Sequence, residues 1–94
     1  NEADMLNVAL FGITAKQWSE MNPDKKGNMR DDANLNQLLV LSNMESYNAV
    51  LIEQGKAQSD RLVLLRDLAV KQMKTMESLT MTGLAMLTKK EDDQ

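Results

Sequence analysis

Residues 34–55 read NLNQLLVLSNMESYNAVLIEQG, and this stretch decides the fold. Asn34, with Gln37 three residues later, is a looser form of the S/T-x-x-E/Q capping box that favours a helix start. Gly55 lies where a left-handed residue typically ends a helix. Between them, large apolar side chains occupy more of the circumference than a single narrow stripe requires. The stretch is therefore predicted to be a helix buried on several sides, at the centre of a small helical domain.

A second long helix is predicted to run back along the first. The connection 56–58 is short enough to make the two antiparallel, and Ser59 is a suitable cap. An approximate a/d seam follows, formed by Leu62, Leu65, Ala69, Met76 and Leu79. An unbroken helix over residues 59–88 would be about 45 Å long, whereas a compact chain of this length has a radius of gyration of about 12 Å. The helix therefore either frays around residues 80–83 or packs its end against a second copy.

Two short helices are predicted before residue 34. Acidic residues in the first turn and Gly12 at the end define one of them. Thr14 with Gln17 forms a capping box for the next, which Pro23 ends. Residues 22–33 have loop chemistry, with Met29 as an apolar anchor. The fold class expected is all-α: a small bundle of two short N-terminal helices followed by two long antiparallel helices.

Composition narrows the function classes. The 94 residues suit one domain, 1–94, of which 80–94 could be a frayed or disordered tail. Cysteine and histidine are both missing from the sequence, which removes thiol nucleophiles, Ser-His-Asp catalysis and Cys/His metal sites. We therefore expect no enzyme, no cofactor and no small-molecule substrate. No apolar run is long enough for a membrane span, so a cytoplasmic location is expected.

The methionine-rich seam of the last helix is the candidate interface. Thioether side chains adapt to varied contacts, and the seam continues beyond the length that a compact domain can cover. The interface is expected to pair two copies of the chain, with a dimer favoured over larger oligomers. Trp18 and Tyr47 are predicted to lie in the core. The candidate interface residues are Leu65, Met73, Met76, Leu79 and Met86.

The alternative function is direct nucleic-acid binding. Residues 3–22 have the apolar spacing of a helix-turn-helix around Gly12, and a basic loop follows at 25–30. The candidate contacts are Lys16, Gln17, Lys25, Lys26 and Arg30. Against this, Glu20 opposes Lys16, three aspartates flank the loop, and the net charge of the chain is −3. Ordinary helix packing and a solvated loop with local ion pairs are the simpler interpretations.

The segments ADMLNVALFG-T-AKQW, NPDKKGN-RD and QLLVLSNMES-NA resemble the region that follows the KilA-N domain in bacterial and prophage-associated proteins. The resemblance covers about residues 2–76. It implies an accessory, all-helical segment of a DNA-binding protein whose KilA-N module binds DNA and lies outside this chain. The start at Asn1 fits an excised piece. No functional residue of that module can be placed here, and the chain departs from the family pattern at Asp32 and Asn34, where an aromatic residue and a threonine are expected.

These observations lead to one main hypothesis. The chain is expected to be a non-enzymatic oligomerisation or protein-interaction domain that pairs two DNA-binding modules by helix packing.

Overall fold

The chain consists of four helices. The computed structural model describes the backbone of residues 1–92 and the side chains of residues 1–88. The helices are α1 (Glu2–Phe11), α2 (Ala15–Met21), α3 (Leu35–Glu53) and α4 (Gln58–Asp92), with no strand among the described residues. The predicted all-α architecture of two short helices followed by two long antiparallel ones is confirmed.

The helix starts follow the local signals in the sequence. Thr14 and Asn34 each form a complete capping box, in which the side chain accepts from the backbone N–H three residues on. In turn, the side-chain oxygens of Gln17 and Gln37 accept from the backbone N–H of Thr14 and Asn34, each at 2.9 Å. These pairs satisfy amide groups that the first turn of a helix leaves without partners.

The turn after α3 is held by a left-handed glycine. Gly55 has a φ of 75°, its N–H donates to Ile52 O at 2.9 Å, and the next N–H, of Lys56, donates to Leu51 O at 3.1 Å. This is the Schellman arrangement, and it confirms the predicted cap. The predicted cap at Ser59 is wrong: α4 begins at Gln58, so Ser59 lies inside the first turn.

The core lies where α1, α3 and α4 meet. It is formed by Met5, Leu6, Ala9, Val40, Leu41, Met44, Leu51, Leu65 and Ala69. Trp18 and Met29 are also buried, beside Phe11 and Ile13, which confirms Trp18 as a core residue and Met29 as the apolar anchor of the loop. α2 is therefore attached through its tryptophan.

The prediction that α3 is buried on several sides is wrong. α3 packs against α4 and α1, but Leu35, Leu39 and Ile52 remain 71%, 45% and 49% exposed. Tyr47, predicted as core, is 36% exposed. The physical reason is that α1 and α2, of 10 and 7 residues, are too short to surround a helix of 19.

A buried arginine on α4 connects α1 to α3 and α4. Arg61 is 7% exposed; its Nε donates to Asn48 Oδ1 at 3.0 Å and its Nη1 to Lys56 O at 2.7 Å. Its Nη2 forms an ion pair with Glu2, which also accepts from Asn48 Nδ2 at 2.9 Å. The guanidinium thus has partners in three segments, which is how a charge becomes tolerable in a core.

The last helix extends beyond the rest of the domain. The molecule measures 55 × 39 × 15 Å with a radius of gyration of 16.6 Å, against about 12 Å for a compact chain. The start of α3 lies level with Thr80, whose Oγ1 accepts from Asn36 Nδ2 at 3.4 Å. We call residues 81–92 the overhang. Fraying was one expectation for 80–94; α4 stays helical as far as Asp92, and residues 93 and 94 lie outside the described part.

Candidate protein-interaction surface

The overhang presents large apolar side chains to solvent. Met81, Leu84, Met86 and Leu87 are between 55% and 66% exposed, and Leu79 just before them is 64% exposed. The surrounding run 78–88, SLTMTGLAMLT, contains no charged residue. Contiguous exposed apolar surface of this kind typically marks a binding site.

The apolar residues of this segment are spread widely around the helix. At about 100° per residue, the arc from Met86 through Leu79, Leu87 and Leu84 to Met81 spans about 220°. A two-stranded coiled coil needs only the narrow seam of its a and d positions. A single neighbouring helix would therefore leave part of this arc exposed, whereas a groove between two helices would cover more of it.

Such a groove lies between α3 and α4. Its volume is about 530 Å³, and Tyr47, Val50, Leu64 and Leu68 form its apolar lining. Asn43 and Gln72 meet across it at 2.9 Å. It is distinct from the flank of α4 that carries Leu62 and Arg66, against which α1 lies.

An ion pair lies at the α4 side of the groove. Lys71 Nζ donates to Asp67 Oδ2 at 2.8 Å, and this contact raises the pKa of Lys71 above its ordinary value. Both side chains are well exposed, so the pair contributes little to stability. The lining is therefore mixed, because Asn43, Ser46, Asp67, Lys71 and Gln72 contribute to it beside the four apolar side chains.

The groove and the overhang share one face of α4. Leu64, Leu68, Thr75, Leu79 and Met86 follow one another at spacings of four or seven residues. Such spacings place side chains on the same side of a helix. On α3, Leu39 precedes Asn43 by four residues, so the two lie on the same side of that helix. Lys71 lies on the same side, seven residues after Leu64 and four before Thr75, so this face of α4 is apolar at both ends and polar in between.

The structure separates the predicted interface residues into three groups. Leu65 has no exposed surface and is a core residue of the monomer, so it is not available to a second chain. Met73 and Met76 are half-buried against the core. Only Leu79 and Met86 are well exposed. The sequence signal for the wider surface is the absence of charge over 78–88, which distinguishes this segment from the first turns of α4.

The candidate nucleic-acid contacts are largely engaged within the chain. Lys25 Nζ lies 3.1 Å from Asp32 Oδ1, and Arg30 Nη1 lies 3.3 Å from Glu45 Oε1. Gln17 Oε1 is occupied by the capping box of α2. Lys16 and Lys26 are exposed. Two of the three cations of the basic loop thus have carboxylate partners, which weakens the positive field that phosphate binding requires.

Among the described residues, no three acidic side chains are grouped as a metal site would need, and no helix is long and apolar enough to cross a bilayer. The pKa of the Glu2 carboxylate is also shifted. Its pKa lies below its ordinary value because Asn48 donates a hydrogen bond to it, and the Arg61 charge adds to this against the opposing effect of burial.

Comparisons with protein-family models, with curated proteins and with solved structures found no match. The KilA-N resemblance stays a prediction from the sequence.

Proposed function

We propose that this chain is a non-enzymatic protein-interaction domain that self-associates through the exposed face of α4. The observation that carries the proposal is the uncharged run 78–88, which stays helical while its large apolar side chains are exposed. A helix that is apolar over most of its circumference is typical of a buried position. A partner chain is the simplest means of burying it.

The exposed area supports a partner of ordinary size. The chain exposes 6769 Å², whereas a compact monomer of this mass exposes about 5,500 Å². The difference of about 1,300 Å² exceeds the roughly 800 Å² that each partner contributes to a standard interface. Each large side chain that becomes fully buried contributes about 1.5–3 kcal/mol before the cost of association.

We also propose that the domain belongs to a larger cytoplasmic DNA-binding protein of the KilA-N type, with DNA bound by a module outside this chain. The support is the sequence resemblance. Pairing two such modules would raise the effective concentration of the second on DNA without adding a base contact. In this proposal the domain needs no cofactor and acts on no small molecule.

Direct nucleic-acid binding by residues 3–22 with the basic loop 25–30 would show itself in the salt dependence of DNA affinity. Phosphate contacts release counterions, so the affinity would fall steeply as salt is raised. A titration of this chain with duplex DNA at two salt concentrations separates the two functions. We expect no salt-sensitive binding.

Sedimentation equilibrium over a range up to several hundred micromolar tests self-association. We expect a concentration-dependent dimer. Met86→Glu should raise the dimer dissociation constant at least tenfold, because it places a charge on the exposed apolar face. The matched control is Val63→Glu, since Val63 is 68% exposed, Met86 is 65% exposed, and both lie on α4. A strict monomer at the highest concentration would contradict the proposal.

A further inference from the structure

We infer that the overhang is a redox-sensitive surface, and that oxidation of Met81 and Met86 to methionine sulfoxide by a peroxide weakens the proposed self-association. This inference rests on that proposed function and adds its regulation. It is carried by the places of the eight methionines in the fold, by the position of these two on the apolar arc, and by a sequence without cysteine.

Exposure divides the methionines into three classes. At most 7% of the surface is exposed in Met5, Met29 and Met44. Two are half-buried against the core, Met73 and Met76. Between 65% and 69% is exposed in Met21, Met81 and Met86. A peroxide must reach the sulfur to react with it, so a dilute oxidant modifies the overhang before the core.

Methionine is the reactive sulfur of this chain. Cysteine thiolates are the usual first targets of peroxides, and the sequence has none. The single tryptophan, Trp18, is only 9% exposed. Mild oxidation is therefore directed to the exposed thioethers, two of which lie in the overhang.

The oxidation step needs only the peroxide. A lone pair of the methionine Sδ attacks one peroxide oxygen, so the S–O bond forms as the O–O bond breaks. The departing hydroxide takes the proton from the sulfur-bound oxygen and becomes water. The sulfur loses two electrons and the peroxide gains them. The product is a polar side chain in place of an apolar one.

Both methionines lie at the edges of the apolar arc. Met86 begins the arc of about 220° and Met81 ends it. When both are oxidised, the large apolar side chains that remain are Leu79, Leu87 and Leu84, which span about 140°. The apolar surface offered to a second copy is therefore narrowed from both sides.

The segment offers a sulfoxide oxygen few donors. Residues 78–88 contain no charged side chain. The hydroxyls of Thr80, Thr82 and Thr88 donate to the carbonyls of Met76, Ser78 and Leu84 in their own helix, at 2.9–3.0 Å. A sulfoxide buried at a contact between two such segments would lose its water without gaining a donor from these threonines, which is unfavourable.

The modification is reversible and spares the fold. The buried methionines keep the core apolar, so the oxidised chain remains a folded monomer. Methionine sulfoxide reductases return the thioether: the oxygen leaves as water while two thiols of a reductant become a disulfide. Oxidation thus acts on association and not on the four-helix architecture.

Peroxide treatment followed by sedimentation tests the inference. The chain is oxidised with hydrogen peroxide at a low concentration, where the monomer dominates, and the sites are mapped by peptide mass spectrometry. We expect Met81 and Met86 to gain oxygen at least about tenfold faster than Met44. The dimer dissociation constant should rise by about tenfold or more. Treatment with reductases for both sulfoxide epimers should restore it.

Leucine variants provide the matched control. Leucine has nearly the volume of methionine and no sulfur to oxidise. The double variant Met81→Leu/Met86→Leu should dimerise like the native chain and keep its dissociation constant after peroxide. Met21→Leu removes the equally exposed methionine of α2 and should stay as sensitive as the native chain.

The two failures can be told apart. A native dimer that is unchanged when Met81 and Met86 both carry the sulfoxide overturns the inference and leaves self-association standing. A double leucine variant that still dissociates on oxidation does the same. Oxidation of Met44 as fast as Met86 also overturns it, because the core would then not be spared. A chain that is monomeric before peroxide overturns the proposed function and this inference together.

Discussion

The two halves of α4 carry similar apolar residues in opposite circumstances. In the first half, Leu65 and Ala69 are at most 1% exposed, because α1 and α3 cover that face. In the second half, Met81 and Leu84 are 66% and 55% exposed, because α3 begins level with Thr80 and covers nothing beyond it. The same helix therefore contributes buried residues to the core in its first half and an exposed apolar surface, uncovered by the described chain, in its second half.

The charge pattern distinguishes the halves where the apolar spacing does not. Up to Glu77, charged residues recur along α4 and occupy much of the surface that α1 and α3 leave open. From Ser78 to Thr88 no charge occurs on any side. The apolar spacing predicts which side of α4 is buried. The absence of charged residues on the other sides of 78–88 indicates that a partner, and not only the helices of the same chain, covers this segment.

The largest expected difference between the halves comes from matched truncations of leucine. Leu65→Ala removes a fully buried side chain and should lower the free energy of unfolding by about 2–5 kcal/mol. Leu84→Ala, in the exposed half, should change the stability of the monomer by no more than about 0.5 kcal/mol. Urea unfolding at a low protein concentration, where the monomer dominates, measures both. Equal losses would mean that the overhang is packed within its own chain.

A smaller effect is expected from the one glycine in the overhang. Gly83 is helical, and a Cβ added there meets nothing within 4 Å. Gly83→Ala should therefore stabilise this half by about 1 kcal/mol through helix propensity alone. Circular dichroism should show increased helix content and a higher melting temperature for the non-cooperative part of the transition. A loss of helix would show that the glycine makes a close contact that we have not identified.

The smallest expected effect is a pH dependence confined to the covered half. The pKa of Glu2 is lowered from its ordinary value near 4.5, first by the Asn48 hydrogen bond. Its stabilising contribution is therefore present above pH 4.5 and is lost as the pH falls through the lower pKa of the folded state. Unfolding measured from pH 6 down to about pH 3 should show a steeper loss for the native chain than for Glu2→Gln.

Glu77→Gln is the matched control for that measurement. It removes an exposed acid at the start of the uncovered half, where no ion pair involves it among the described contacts. Its stability should follow the native pH profile. If Glu2→Gln also followed that profile, the contact between Glu2, Asn48 and Arg61 would not contribute to stability.

The elements that sequence analysis identified are those with local causes. The capping boxes at Thr14 and Asn34 and the left-handed Gly55 are complete within a few residues, so the sequence contains the whole signal. The cap of α4 was misplaced by two residues because Ser59 is a favourable cap by type, while the helix begins at Gln58, directly after the turn at Gly55.

The missed features depend on distant residues. The burial of α3 was overestimated because periodicity does not show how many helices are available to cover it. The burial of Arg61 depends on Glu2, which is 59 residues away in sequence, so no local pattern indicates it. The groove likewise needs two helices to exist, so only one of its components, the apolar face of α4, could be anticipated.

The attachment of α1 has a consequence for the order of folding. α3 and α4 are joined by a short turn and can pair early, whereas α1 is attached by contacts such as Arg66 Nη1 to Ala9 O, at a sequence separation of 57 residues. Closing so long a loop has an entropic cost that favours late docking. We expect the amides of α1 to exchange with solvent faster than those of α3, through an opening that leaves the α3–α4 hairpin paired.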